Sequence, residues 1–422
     1  MPLGYDPARV KALWKRLGPG LITGASDDDP AGIGTYTVAG ASLGYSTLWT
    51  TFVTLPLMVA VQLVCARIGL VCGTGLTGAL RRHYPRPLLV GACVMLLGAN
   101  VFNIAADLSA MADAAQMLTR LPTELFMVGF PVAIVLFTVY SSYASFSKYV
   151  KWTTLALLTY IVAAILAKPP WREVLIATGT PQTHWSRDYL RTIVALLGTT
   201  ISPYLFFWQA SSEVEEEKAM GRKTRAARRG ATDEELQSAR DDVTTGMVFS
   251  NLIMFFIVVT TGSTLYRRGL HDVESTRQAA EALLPLAGAA AYWLFAIGLI
   301  GSGLLAIPVL AGSASFAVAE LLGWRAGLNE PFRRARRFYG LFAAAVGLGI
   351  ALDLFRVSPI RMLFWSAIVN GLAAPPLLVL IMIVSNDRRV MADRTNPAVL
   401  NVLGWGTAVL MTLAAIGMIL SP

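Results

Sequence analysis

Charged side chains are scarce in this sequence: Asp, Glu, Lys and Arg make up 14% of 422 residues, while 55% are hydrophobic and the mean hydropathy is +0.57. A soluble domain carries about 25% charged residues. The deficit leaves too little polar surface to cover two or three water-facing domains, so a polytopic membrane protein is the class that remains. Cysteine is scarce too. Cys65, Cys72 and Cys93 lie in or beside apolar runs without CxxC or Cys/His spacing, which excludes a disulfide framework and a zinc site. His83, His184 and His271 are the only histidines, and all fall in expected loops, where a solvated surface role is their ordinary reading. No nucleophile–base pair, Walker loop or Rossmann fingerprint occurs, and the glycines from Gly18 to Gly24 open an apolar helix with no strand before it. Neither an enzyme nor an ATP-driven machine is therefore indicated. No cleavable signal peptide is expected, because the first apolar segment holds three aspartates and no small-residue cleavage pattern follows it.

Apolar length is what the sequence has in abundance. A helix needs about 20 residues to cross the hydrocarbon core, and eleven segments qualify: 17–43, 46–73, 87–115, 124–143, 147–167, 188–213, 243–265, 285–323, 337–354, 359–385 and 397–420. The eighth is overlong but has no polar turn, so one tilted or extended helix is expected there. Short amphipathic stretches, 76–82 and 276–284, are expected along the interface. With the amino terminus in the cytoplasm, 24 of 35 basic residues fall on the inner side, as the positive-inside rule requires. That placement accounts for the net charge of +9 and removes the argument for nucleic-acid binding, including by the basic run from Lys218 to Arg229. The carboxy terminus then lies outside.

Two segments cannot be continuous lipid-facing helices. The first reads GPGLITGASDDDPAGIG, in which Asp27, Asp28 and Asp29 precede Pro30, Ala31 and Gly32. Proline lacks an amide hydrogen and glycine weakens the helix, so the backbone should open near Asp29 and free carbonyls there. An intramembrane carboxylate is a functional-site candidate because burial alone is so costly. The sixth segment repeats the device at Thr199, Thr200, Ser202, Pro203 and Tyr204. The breaks lie five helices apart, so the second half enters from the opposite side, the pattern of an inverted repeat with a central ion site. Two packing kinks are the bland alternative. Asp29, needing a cation, with freed carbonyls near Ser26 and Thr199 and the hydroxyls of Ser202 and Tyr204, forms an all-oxygen set suited to hard cations. No Met, Cys or His stands at either break.

GPGLITGASDDDPAG resembles the first helix of the NRAMP divalent-metal transporters, and TTISPYLFFWQASS resembles their sixth. AADLSAM in the third helix and Arg-Arg-Val-Met after the tenth extend the likeness over most of the chain. The resemblance implies an all-α polytopic membrane protein with the LeuT-type (APC) fold: one transmembrane domain over 1–422, a first repeat over 17–167, an inverted repeat over 188–385, and an extra helix over 397–420. It also implies a bacterial inner-membrane location and alternating access around a metal site. By offset, the family's metal-contacting carbonyls fall on Ser26 and Thr199.

Departures from the family pattern bear on cargo. Its Asp-Pro-Gly-Asn becomes Asp29-Pro30-Ala31-Gly32, which loses the asparagine ligand at Gly32. Its Met-Pro-His becomes Ser202-Pro203-Tyr204, which loses both the thioether and a histidine linked to proton movement. Its Asp-Leu-Ala-Glu becomes Asp107-Leu108-Ser109-Ala110, which retains one acid of the proton route. A larger, harder, oxygen-lined pocket suits Mg²⁺, which keeps several waters; a tyrosine with a reference pKa of about 10 does not exchange protons near neutrality. These features resemble the NRAMP-related magnesium-transporter branch. The expected substrate is thus Mg²⁺, with Mn²⁺ second, moved without strong proton coupling and with no cofactor. A cation-coupled transporter of a small organic solute and a non-transporting sensor are the alternatives. Asp27, Asp28, Asp107 and Asn370 are supporting candidates; Asn100, Asn103, Asn251 and Asn370 either line the cavity or bridge helices. Glu213, Glu215, Glu216 and Glu217 read as a solvated helix end beside the basic loop, with attraction of cytoplasmic ions as the alternative.

Overall fold

The computed structural model describes residues 18–141, 143–181, 186–284, 288, 290–353 and 357–420. Helices occupy each of the expected apolar stretches: α1 (Pro19–Asp27) and α2 (Pro30–Leu43), α3 (Trp49–Cys72), α4 (Arg86–Thr119), α5 (Thr123–Tyr140), α6 (Tyr143–Leu166), α7 (Arg187–Thr200) and α8 (Pro203–Ala219), α9 (Asp233–Thr264), α10 (Ala290–Leu322), α11 (Arg336–Asp353), α12 (Pro359–Asn386) and α13 (Ala398–Leu420). Among the described residues, eight spans are long and apolar enough to cross a membrane by length and composition, with α7 and α8 counted as one. In the eighth stretch the residues from Ala290 to Leu322 form a single helix, α10. The stretches expected at the interface form short helices at Leu76–Leu80 and Thr276–Ala280. The amino-terminal basic residues and His184 lie outside the described residues.

Burial separates centre from periphery. Across the most apolar window of α7–α8, 89% of residues are buried, against 22% for α5 and 28% for α13. The broken helix is therefore central, and α5 and α13 present Leu125, Val128, Val402 and Leu413 outward, as lipid contact requires.

Both half-helices that lead into the centre are seated by glycine. A Cβ at Gly24 of α1 would lie 2.2 Å from the Gly246 carbonyl oxygen of α9, and one at Gly246 would lie 2.1 Å from the Gly20 oxygen. This close backbone approach explains the glycine spacing at the start of the first segment. Likewise, a Cβ at Gly198 of α7 would lie 2.1 Å from the Ala367 oxygen of α12. At the end carrying the basic loops, Asp242 of α9 accepts hydrogen bonds from the amides of Gly18 (2.9 Å), Gly20 (2.7 Å) and Leu21 (3.2 Å), and so closes the first turn of α1 from another helix. Glu320 of α10 does the same for Leu76–Leu80, accepting from Gly75 and Gly78. The basic loop is folded onto helix ends: Arg228 is buried and donates to the carbonyls of Gly73, Arg222 and Lys223. At the same end Arg389 holds the Asp387 carboxyl well below the usual carboxylate range.

Substituting Gly24→Leu should lower the apparent melting temperature of the detergent-solubilised protein, since overpacking costs about 1–3 kcal/mol or more. Gly98→Leu, where a Cβ meets nothing within 4 Å, should melt with the wild type. Equal melting of both variants would show that the α1–α9 contact yields without cost.

Candidate metal site

Each break is a helix end followed at once by a new helix start. α1 stops at Asp27, and Asp28 leaves helical geometry at φ −86°, ψ 49°. Asp29 is extended (φ −68°, ψ 170°), and its side chain caps α2 by accepting from the Gly32 amide at 2.6 Å, with Pro30 at the first helical position. In the same way Ile201 ends α7, Ser202 is extended and Pro203 starts α8. The carboxyl ends of α1 and α7 therefore bring spare carbonyls to the middle of the bundle, the polarity that suits a cation.

Tyr204 joins the two breaks. Its hydroxyl donates to the Ser26 carbonyl at 2.7 Å and to Asp29 Oδ2 at 3.3 Å. Asn103 of α4 donates to the same carboxylate oxygen at 2.9 Å, and Asn370 of α12 donates to Asn103 Oδ1 at 3.3 Å. Asp29 is thus not a bare carboxylate that only a cation can satisfy, as the sequence suggested: neutral donors from two other helices and its own cap surround it. A Cβ on Gly32 would lie 3.2 Å from Thr199 Oγ1 and 3.1 Å from the Asp27 carbonyl oxygen, which places Gly32 between the breaks. The Ser202 hydroxyl turns back and donates to the carbonyls of Thr199 (2.8 Å) and Gly198 (2.9 Å) instead of pointing into open space.

The remaining acids divide between two faces. Asp107 of α4 accepts from the Ala31 amide at 3.2 Å, facing the break, and its second oxygen accepts no hydrogen bond from any described residue. Asp27 and Asp28 turn toward α9, where the Ser250 hydroxyl donates to Asp27 at 2.6 Å and reaches Asp28 at 3.4 Å. All four acids are buried, and none is ion-paired with a basic side chain among the described residues. Among those residues, no group of three or more His, Cys, Asp or Glu converges as a ready metal cage. Any cation at the breaks would rest on Asp29 with carbonyls, hydroxyls and water.

Asn103 and Ser250 are the neighbours of the candidate site that sequence reasoning left unassigned. Their only signal was polarity inside an apolar helix. The other intramembrane asparagines are bridges: Asn100 donates to Leu310 and Ser313 of α10, and Asn251 donates to the Thr51 carbonyl of α3. Glu213, Glu215 and Glu217 are buried, which corrects their reading as a solvated helix end. The neighbouring loops fold over them: Lys218 pairs with Glu215, and Arg222 with Glu217.

Residues 20–421 match the family model described as "Natural resistance-associated macrophage protein-like". The chain belongs to the Nramp family. Curated relatives include divalent metal cation transporters MntH from Deinococcus radiodurans, 24% identical over 96% of this chain and 89% of that protein, and from Mycobacterium leprae, 24% identical over 96% and 92%. The crystal structure of a manganese transporter from Eremococcus coleocola aligns with a TM-score of 0.77 at 18% identity, covering 99% of this chain and 88% of that one. A nucleobase–cation symport transporter aligns at 0.61 with 13% identity, over 96% and 91%. These likenesses establish the LeuT-type fold of this Nramp chain and, with its apolar helices, an integral membrane protein.

Tyr204→Phe should destabilise the protein by about 1–3 kcal/mol, because the buried Ser26 carbonyl loses its donor. Thermal melting in detergent measures this. Asn370→Ala, one step removed from Asp29, should cost less, and a reversed order would mean that Tyr204 does not hold the breaks together.

Proposed function

We propose that this Nramp protein carries divalent cations, Mg²⁺ first and Mn²⁺ second, by alternating access around the two breaks and without strong proton coupling. The observation that carries this reading is Asp29 at the meeting point of both breaks, tied through Tyr204 to the Ser26 carbonyl, with the Thr199 carbonyl and the Ser202 hydroxyl at the other break. Hard oxygen donors favour Mg²⁺ and Mn²⁺ over softer metals. The names of the curated relatives support divalent metal transport in general. Ser202 in place of a thioether, Tyr204 in place of histidine and Ala110 in place of glutamate support the finer choice of Mg²⁺ and weak coupling.

Coordination and opening are linked in this scheme. The Ser26 and Thr199 carbonyls now accept from the Tyr204 and Ser202 hydroxyls, so a cation that takes those carbonyls competes with both hydroxyls, and displacing that of Tyr204 loosens the link between α1 and α8. Gly32 keeps a side chain out of the narrow gap between the breaks. Asp107 adds negative charge on the α4 side, while Asp27 and Asp28 deepen the potential from the α9 side and Asn370 steadies Asn103. The repeats are assigned to 17–167 and 188–385, with α13 outside them, the amino terminus in the cytoplasm and the carboxy terminus across the bacterial inner membrane.

In liposomes containing a Mg²⁺-sensitive dye, the wild type should show influx that Asp29→Ala abolishes; equal flux in the two would remove Asp29 from the site. A pH dye in the lumen should stay flat while metal enters, and a proton flux locked to metal flux would overturn uncoupled transport. Competition should rank Mg²⁺ and Mn²⁺ above Ca²⁺ and Na⁺.

A further inference from the structure

In the half of the bundle away from the basic loops, α3, α7 and α13 meet without filling the space between them. They leave a cavity of about 220 Å³, walled by Val53 of α3, Ile193 and Leu197 of α7, and Leu410 and Leu413 of α13. Gly417 of α13 also lines it, and a Cβ placed there meets nothing within 4 Å. Four polar side chains reach the lining, and each is already engaged. Trp49 Nε1 donates to the Tyr189 hydroxyl at 3.0 Å, Thr50 donates to the Thr47 carbonyl at 2.7 Å, and Thr54 donates to Asn251 Oδ1 at 3.2 Å. A cavity water needs two to four polar partners, and an apolar cavity of about 150 Å³ stays dry and takes an apolar guest. This larger space offers water no better hold.

Hydrocarbon is the medium beside it. α13 faces lipid, and Leu413 is 62% exposed at the rim. An acyl chain gains no transfer free energy by leaving the bilayer for such a wall, but an unfilled wall forfeits dispersion contacts that a chain restores. From Tyr189 to Leu197 the lining runs about 12 Å along α7 at 1.5 Å per residue, far enough for a good part of one chain. The mouth suits the rest of the lipid. Trp49 and Tyr189 are an amphipathic aromatic pair of the kind found at headgroup level. Arg187 stands three residues before the lining residue Leu190, on the same face of α7; it is exposed and has no ion pair among the described residues. A guanidinium in that position matches a phosphate in charge and in donor geometry. We propose that the groove between α3, α7 and α13 is a phospholipid site, with one acyl chain lying along α7 and the phosphate at Arg187. The lipid then completes the packing of the half-helix that ends at the second break, one turn beyond Leu197.

The test reconstitutes the full chain in bilayers containing a phospholipid with a diazirine midway along one acyl chain, and maps the photoadducts by peptide mass spectrometry. Adducts should be at least about fivefold denser on the groove residues than on α5, a lipid-exposed helix away from the groove. Gly417→Leu and Ala414→Phe, which extend side chains into the space, should each lower groove labelling by a similar factor while labelling of α5 stays at the wild-type level. Gly417→Leu meets open space and should also melt with the wild type. A diacylglycerol with the same diazirine chain but no phosphate should label the groove several-fold less than the phospholipid, and Arg187→Gln should erase that difference. Groove labelling no denser than that of α5, or unchanged in both filling variants, means annular lipid only and overturns the site. Equal labelling by the two probes in the wild type overturns the phosphate contact at Arg187.

Discussion

Four buried carboxylates, Asp27, Asp28, Asp29 and Asp107, sit around one broken helix with no basic side chain paired to them among the described residues. Much of the surrounding arrangement answers to that fact. An isolated ionised carboxylate in a low-dielectric interior carries a penalty of several kcal/mol even after relaxation, and a lysine or arginine placed there would cancel the charge permanently. This chain uses neutral donors instead: a cap amide, Asn103, Tyr204 and Ser250. Neutral donors soften the cost without the permanent charge cancellation that a basic side chain would bring.

The need to keep that potential while holding two severed helices in register accounts for the glycine contacts. α1 and α7 end in the middle of the bundle, so they cannot be positioned by continuous chain alone. Gly20 and Gly24 against Gly246, and Gly198 against Ala367 and Gly371, let the backbones themselves touch. Side-chain packing would have set the half-helices further from α9 and α12, and the carbonyls at their ends would have moved with them.

Much of this could be read in the sequence, for reasons that differ by level. The long helices and both breaks follow from apolar length and from Asp-Pro and Ser-Pro inside it, signals confined to a few neighbouring residues. The role of Asp29 as a helix cap was equally local and was hidden by attention to its charge. Asn103 and Ser250 became partners of the first break, and Asp242 of the first turn of α1, only through the packing of α4 and α9 against them, across 74 to 224 residues of sequence. Nothing in their own neighbourhoods distinguishes Asn103 from Asn100, which bridges to α10. The glutamates of α8 read as solvated for a related reason: a run of charge reads as wet unless the loops that fold over it are known.

The shortness of α1 has a further meaning. At nine residues it falls below the roughly 12–15 that an isolated helix needs to persist in water, and its coiled form is lent to it by α9 and by the carboxylate at its head. Were it to leave that seat, it would lose the scaffolding that keeps it wound. Opening at this end would then be a local melting, governed by chain entropy as much as by leverage, and its speed would be that of a turn unravelling, not of a rod swinging on a hinge.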